Sequence, residues 1–294
     1  MGGACRSPAG ACGVIRAVLG LALALAPLGA AAQDRVVSLG GSVTEIVAAL
    51  GEGDRLVGRD TTSTVPETVR ALPDLGYVRA LSAAGVLSVR PDLILAEEGA
   101  GPPATVELLR SGGVPVVTVP DAFDAKGVAE RIRVVGEALG AGDRAEALAA
   151  RVTADLAQVE AEAATRPHPR VLFVMAADGG RILASGTGTA ADAMIRLAGG
   201  VNAVAGFEGY KPLTSEALAG AAPEVIVTMN RGAADPESEP DDDRAISSLL
   251  SNPALAATPA GRARRVVRMD GLYLLGFGPR TADAVRDLSR ALAE

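Results

Sequence analysis

Two stretches of this 294-residue chain say nearly the same thing. Gly76-Tyr77-Val78-Arg79-Ala80-Leu81-Ser82 leads to Pro91-Asp92, and Gly209-Tyr210-Lys211-Pro212-Leu213-Thr214 leads to Pro223-Glu224. With Leu81 set on Leu213 the prolines fall in register. Each then opens an aliphatic, β-branched run, Leu93-Ile94-Leu95 in one case and Val225-Ile226-Val227 in the other. A chain that repeats itself in this way is constrained to fold as two similar lobes. Each lobe offers a tyrosine and a basic residue ahead of a helix-like stretch. Facing lobes would therefore set two phenols and two cations around one cleft, the outline of a binding site.

The segment between the repeats is of another kind. Residues 143–165 are rich in Ala, Glu, Arg and Leu, contain no Gly or Pro, and carry Leu148, Val152, Leu156, Val159 and Ala163 at helical spacing until Pro167 and Pro169 close the run. The spacing predicts one helix, too long for an ordinary crossover, acting as a spine between the lobes. On the N-terminal side, strand candidates at 35–39, 55–58, 92–96 and 114–119 alternate with helical stretches. One of these is capped by Ser42 and ended by Gly51, and another covers 104–110. After the spine the pattern restarts with strands at 170–175 and 181–184. Thr187-Gly188-Thr189-Ala190-Ala191-Asp192 then leads into a helix bearing Met194, Ile195 and Leu197, a unit that mirrors residues 35–51. Val266-Val267 reads as a strand flanked by solvated Arg262, Arg264, Arg265 and Arg268. The acidic stretch 233–243 reads as a surface loop, and residues 281–293 as a closing helix. The expected class is α/β: two Rossmann-like lobes with central sheets flanked by helices, covering 33–141 and 167–294, joined by a single long backbone helix at 142–166.

Residues 1–32 carry Arg6 and Arg16, an apolar run at 18–28 and Ala30-Ala31-Ala32 before Gln33. This is the pattern of a secretory signal peptide, too short to span a membrane, with cleavage expected after Ala32. Cys5 and Cys12 would leave with it. The remainder could form no disulfide, thiolate metal site or cysteine nucleophile. It would hold 26 basic against 35 acidic residues, a net charge of -9 that disfavours nucleic acid as a partner. His168, between Pro167 and Pro169, is the single histidine, and no Gly-x-Ser-x-Gly elbow occurs. The machinery of a metallohydrolase or serine hydrolase is missing, so no enzyme is expected. Gly186-Thr187-Gly188 has Ala191 where a dinucleotide fingerprint needs its third glycine, and reads as a tight strand-to-helix turn.

The aromatic set is small, four Phe, three Tyr and no Trp, so a tyrosine outside the core stands out. Tyr77 lies outside any helical stripe with Arg79 two residues on. A phenol beside a guanidinium suits an anionic ligand, or ferric iron held as phenolate, because a cation favours the deprotonated form. An amphipathic tyrosine capping the edge of a core has the same look.

Five segments carry a further signal: Arg35-Val36-Val37-Ser38-Leu39-Gly40-Gly41-Ser42-Val43-Thr44-Glu45, Val57-Gly58-Arg59-Asp60-Thr61-Thr62-Ser63, Gly76 to Ser82, Gly206-Phe207-Glu208-Gly209-Tyr210-Lys211-Pro212-Leu213 and Leu274-Leu275-Gly276-Phe277-Gly278-Pro279-Arg280-Thr281. In these the chain resembles the periplasmic haem-binding proteins of bacterial haem ABC importers, within the helical-backbone class whose members take cobalamin, siderophores or haem. The resemblance implies a periplasmic, non-enzymatic receptor that captures one haem per chain in a largely preformed interlobe cleft. It implies delivery to an ABC permease with its ATPase, an outer-membrane haem receptor system upstream, and a monomeric state.

The resemblance also implies that Tyr77 is the axial ligand of the haem iron. It places Arg231, in Met229-Asn230-Arg231-Gly232, where similar proteins support the haem or its tyrosinate. Arg79, Arg59 and Lys211 become candidate partners of the propionates, and Tyr210 lines the opposite wall with Lys211. Some relatives hold a second stacked haem with a histidine on the turn that is here Met175-Ala176-Ala177-Asp178-Gly179-Gly180, which has none. The class docks on its permease through one glutamate per lobe. Glu216 stands at that place in the second lobe, whereas Ala84 stands there in the first and leaves Glu45, Glu67 or another acid to serve. The alternatives are the same scaffold binding a corrinoid or iron-siderophore, against which the few aromatics and the Tyr77-Val78-Arg79 segment argue, and a periplasmic enzyme.

Overall fold

β1 (Val36–Leu39) is buried at every position, as a strand must be when parallel neighbours cover its edges and helices its faces. The computed structural model describes residues 1–4, 34–178, 181–230 and 242–294. The expected cleavage point after Ala32, most of the acidic 233–243 stretch, Gly179, Gly180 and Arg231 lie outside the described residues. β1 is followed by α1 (Gly41–Ala49), β2 (Leu56–Arg59), α2 (Ala83–Ser88), β3 (Leu93–Glu97), α3 (Pro103–Ser111), β4 (Val116–Val119) and α4 (Ala125–Ala138). Their strands form a parallel sheet in the order β2-β1-β3-β4. Every strand thus ends on one edge, and Gly40, Asp60, Glu97 and Asp121 gather there, at the carboxyl ends where open α/β sheets bind ligands.

α5 (Gly142–Ala163) follows as a 22-residue helix. Its stripe of Leu148, Val152, Leu156, Val159 and Ala163 is buried. Each such leucine contributes roughly 1.5–3 kcal/mol through burial. Leu148, Val152, Leu156 and Val159 of the stripe belong to one apolar cluster that runs from Val36 and Leu95 to Phe173, Val227 and Leu288. The spine therefore shares a core with both lobes.

The second lobe contains β5 (Arg170–Asp178), β6 (Arg181–Ser185), α6 (Ala190–Leu197), β7 (Val201–Asn202), β8 (Tyr210–Leu213), α7 (Ser215–Ala221), β9 (Val225–Asn230), α8 (Asp242–Leu250), α9 (Pro253–Ala256), α10 (Pro259–Arg262), β10 (Val266–Asp270), α11 (Gly271–Leu275) and α12 (Thr281–Ala293). Its strand order is β10-β9-β5-β6-β8, with β7 paired to β5.

Three expectations change. The second sheet is mixed, because β6 runs antiparallel to both β5 and β8. Only two residues separate β5 from β6, too few for a parallel crossover, so a hairpin forms. The second lobe thus opens on a hairpin where the first opens on a strand-to-helix turn, and the two units are not mirror copies. Ser42 lies inside α1 rather than capping it; Gly40 takes the cap position with no side-chain bond. The arginines around β10 are also not simply solvated, since Arg265 donates to the Leu292 carbonyl and Arg268 pairs with Asp242. No helix among the described residues is long and apolar enough to cross a membrane.

Candidate functional site

The first-lobe rim is built around the loop that carries Tyr77. Gly76, at φ +96°, adopts a backbone that a side chain would strain. Its N–H donates to Asp74 Oδ1 at 2.9 Å and its carbonyl accepts from Thr61 N at 3.0 Å. Val78 is buried and its carbonyl accepts from Gly101 N at 2.9 Å. With Val78 turned into the core, Tyr77 and Arg79 turn outward. Tyr77 is 50 % exposed, and no hydrogen bond to its phenol is formed among the described residues.

The other tyrosines are engaged. Tyr273 donates to Asp287 at 2.8 Å and lies under the Arg280 guanidinium. Tyr210, 36 % exposed on β8, sets its ring edge-on to Phe173 at 6.4 Å. Its phenol meets the Thr189 hydroxyl and the Ala191 N–H at the start of α6. Burial pushes this phenol up, those two bonds pull it down, and Asp121 of the first lobe pushes it up further. Tyr210 and Asp121 therefore approach one another from opposite lobes.

Arg131 is the joint between the lobes. It is 1 % exposed, rises from α4 and donates to the Pro120 carbonyl at 3.0 Å, to Ser42 Oγ at 2.8 Å, to the Gly276 carbonyl at 2.7 Å and to Asp121. Beside it Glu45 of α1 takes a two-pronged contact from Arg280, and Phe123 packs on Phe277 with ring centroids 5.2 Å apart. Gly41 lets Leu272 close on the α1 N-terminus, where a Cβ would meet its side chain. Burial raises Glu45 above the usual carboxylate range and outweighs the opposing contact with Arg280, while the same contact holds Arg280 up. The joint thus combines a buried arginine, an ion pair and an aromatic contact.

Carboxylates dominate the floor of the first lobe. Asp60 is fully buried and accepts from four donors, Gly40 N, Thr62 N, Thr62 Oγ1 and Ser63 Oγ, at 2.6–2.9 Å. Glu97, 17 % exposed, lies 3.8 Å from Arg79. Burial first, then Asp121 and Asp60, push it up to about 7 against the pull of Arg79 and Arg131.

The expected site residues are thus spread over both walls. Arg79 does not lean on the Tyr77 phenol; its guanidinium bonds the Gly99 carbonyl at 3.0 Å and faces Glu97. Arg59 is mostly buried and donates to Asp74 Oδ2 at 3.3 Å, so it buttresses the aspartate that holds Gly76. Lys211 is exposed, its ammonium 5.5 Å from the Phe207 ring centroid. Tyr210 and Lys211 sit on an edge strand that leads directly into α7. Arg231 is outside the described residues. Glu216 and Glu67 are exposed and Glu45 is buried in the lobe joint, which removes Glu45 as a docking residue. His168 bonds the Gly199 carbonyl in the connector. The glycine turn at Gly186 serves close packing, since a Cβ there would strike the Phe207 carbonyl. Sequence reasoning missed Arg131, Asp121 and Glu97, because none bears a local mark of its burial.

Comparison with known proteins bears on this geometry. The family model for periplasmic binding proteins matches residues 36–272. Among solved structures the chain is 45 % identical to the periplasmic haem-binding protein BhuT in complex with two haems, with a TM-score of 0.80 over 88 % of this chain and 97 % of that one. It is 41 % identical to the periplasmic haem-binding protein RhuT from Roseiflexus sp. RS-1 in apo form, with a TM-score of 0.82 over 89 % of this chain and 98 % of that one. It is also 28 % identical over 262 residues, 88 % of this chain and 79 % of its relative, to YvrC of Bacillus subtilis, an uncharacterised ABC transporter substrate-binding lipoprotein.

Proposed function

The chain belongs to the periplasmic binding protein family, and on that premise we propose that it captures haem between its lobes and delivers it to an ABC importer without altering it. Its setting is extracytoplasmic, and its partner is an importer of the ABC class, as for its substrate-binding relatives. The finer reading is a periplasmic monomer, exported by a signal peptide cleaved after Ala32 and loaded by an outer-membrane haem receptor system. Residues 33–141 and 167–294 act as the lobes and 142–166 as the spine. It docks through Glu216.

The observation that carries this reading is Tyr77: a half-exposed phenol with no protein partner among the described residues, on a loop pinned by Asp74, Thr61 and Gly101. A phenol held on a pinned loop supplies a hard oxygen ligand to ferric iron. Arg79 and Lys211 face the propionates, Arg231 supports the haem or its tyrosinate, and Tyr210 forms the opposite wall. Arg59 acts one step back, by holding Asp74. The segment from Met175 to Gly180 has no histidine to take a second haem, so the expected stoichiometry is one, although the similar BhuT is known with two.

Titration of haemin into the wild type and Tyr77→Ala, followed by visible absorbance, tests this. The variant should lose at least about tenfold in affinity, or roughly 1.4 kcal/mol, and its spectrum should change. An unchanged spectrum removes Tyr77 from the site. Tighter capture of cobalamin or a ferric siderophore than of haemin replaces the ligand, and two tightly held haems replace the stoichiometry.

A further inference from the structure

Glu97 ends β3, a strand with neighbours on both edges. Its carboxyl lies over the β1–α1 turn, where a Cβ at Gly40 would come within 2.5 Å of Oε2. No hydrogen-bond donor reaches that carboxyl among the described residues; its ion-pair partner is Arg79, with Nη2 to Oε1 at 3.8 Å. The other charges around it are Asp60 beyond β2, Asp121 beyond β4 and Arg131 on α4. Glu107 and Arg110 of α3 line, with Glu97, a cavity of about 530 Å³. Asp60 is committed to four donors and Arg131 to Asp121 and the lobe joint. Arg79 is the partner that can move. It is half exposed and otherwise bonded to the Gly99 carbonyl.

We infer that Glu97 is a positioning residue of the candidate site: ionised, it draws the Arg79 guanidinium back against the end of β3, and protonated, it releases that cation to carboxylates on the ligand. The inference rests on the haem reading, which supplies a ligand with two carboxylates and puts Arg79 beside Tyr77. A ligand carboxylate brought to Arg79 repels ionised Glu97 and so favours its protonation. By linkage, protonation of Glu97 favours the ligand by the same factor. Burial, Asp121 and Asp60 hold Glu97 up to about 7, so the change falls between pH 6 and pH 8.

The test compares haemin binding to the wild type and to Glu97→Gln at both pH values. Reading the ratio of their dissociation constants cancels proton-linked steps common to the two proteins. At pH 8 the variant should bind about fivefold more tightly, the effect of a coupling of about one pKa unit on a group held up to about 7. At pH 6 the two should agree within about twofold on the same arithmetic. The gain should vanish in an Arg79→Gln background and with haemin dimethyl ester, whose carboxylates are masked. Glu97→Asp, which keeps the charge but withdraws it from Arg79, should show a smaller gain at pH 8 and supports the same reading if Glu97→Gln folds poorly. A ratio equal at pH 6 and pH 8 overturns the inference, and so does a gain that persists without Arg79. Failure of the wild type to bind haemin at either pH overturns the haem reading instead.

Discussion

The two lobes meet the same problem at the start of a helix and solve it differently. A helix N-terminus exposes backbone N–H groups that need acceptors and favours negative charge. At α1 the first lobe supplies its own carboxylate: Asp60 accepts from Gly40 N, and Thr62, which Asp60 also holds, accepts from Gly41 N. At α6 the second lobe uses neutral or shared groups. Thr189 caps Asp192 N, Asn202 bridges the Gly186 carbonyl and Asp192, and the Tyr210 phenol meets Ala191 N–H. The first terminus is sealed by a fully buried charge, whereas the second presents a partly exposed phenol. Similar architecture therefore yields on one side a floor whose carboxylate takes the terminal N–H group directly, and on the other a wall with a hydroxyl cap and a phenol, its carboxylate, Asp192, set inside the first turn of the helix.

The sharpest way to break that contrast is Asp60→Ala. Four donors would lose one buried acceptor, and a loss of about 3–5 kcal/mol in urea denaturation is expected from unmet polar groups of this kind. A loss below about 1 kcal/mol, the worth of an ordinary hydrogen bond, would mean that the first terminus is not sealed by its carboxylate.

Glu97→Gln sharpens the acidic side of the comparison. Because the folded protein holds Glu97 up to about 7 from its ordinary 4.5, its protonated form stabilises the fold fully below pH 4.5, and that contribution is lost as pH rises through 7. At pH 8 the neutral variant should therefore be more stable by about 3 kcal/mol, the free energy of a shift of this size, and near pH 4 the two should coincide. Thermal melts across that window check it. An offset independent of pH would assign the gain to packing.

How much of this was legible in the sequence depends on whether the cause was local. The spine read as 143–165 is Gly142–Ala163, because apolar periodicity and the absence of Gly and Pro are properties of the segment itself. Strand direction is not such a property: β6 is antiparallel because its partner lies two residues away, and nothing within residues 181–185 says so. β8 was hidden by Pro212, which cannot donate to a ladder; it is tolerated there because β8 is the last strand of its sheet. At the candidate site, the exposure of Tyr77 was legible because it lies outside any helical stripe. The facing of Arg79 toward Glu97 was not, since it joins loop residues to the end of a distant strand. Arg131 looks like any other helical arginine until partners from Ser42 to Gly276 close around it.

Asn202→Ala asks whether the terminus capped by a hydroxyl is weaker than the one capped by a carboxylate. Asn202 donates to Asp192 at 2.9 Å and accepts from Val204 N at 3.0 Å in a buried setting, so a loss of about 1–3 kcal/mol is expected from its unpaired partners. Urea denaturation giving a loss equal to that of Asp60→Ala would make the two termini equivalent and remove the contrast.

Tyr210→Phe is the smallest change and separates the two tyrosines of the repeat. The ring contact with Phe173 survives, Thr189 keeps Ser185 and Asp192 N as partners, and water can reach the vacated Ala191 N–H because the site is 36 % exposed. Stability should fall by less than about 1 kcal/mol, the net worth of one hydrogen bond. Burial and Asp121 keep the phenol above its ordinary range, so at neutral pH it faces the cleft as an uncharged group that can donate, not as an anion for iron. Haemin affinity should accordingly drop about two- to threefold, on the scale of a partly solvated hydrogen bond, with the visible spectrum unchanged. A spectral change matching that of Tyr77→Ala would show both phenols at the iron, and the repeat would then be functional as well as architectural.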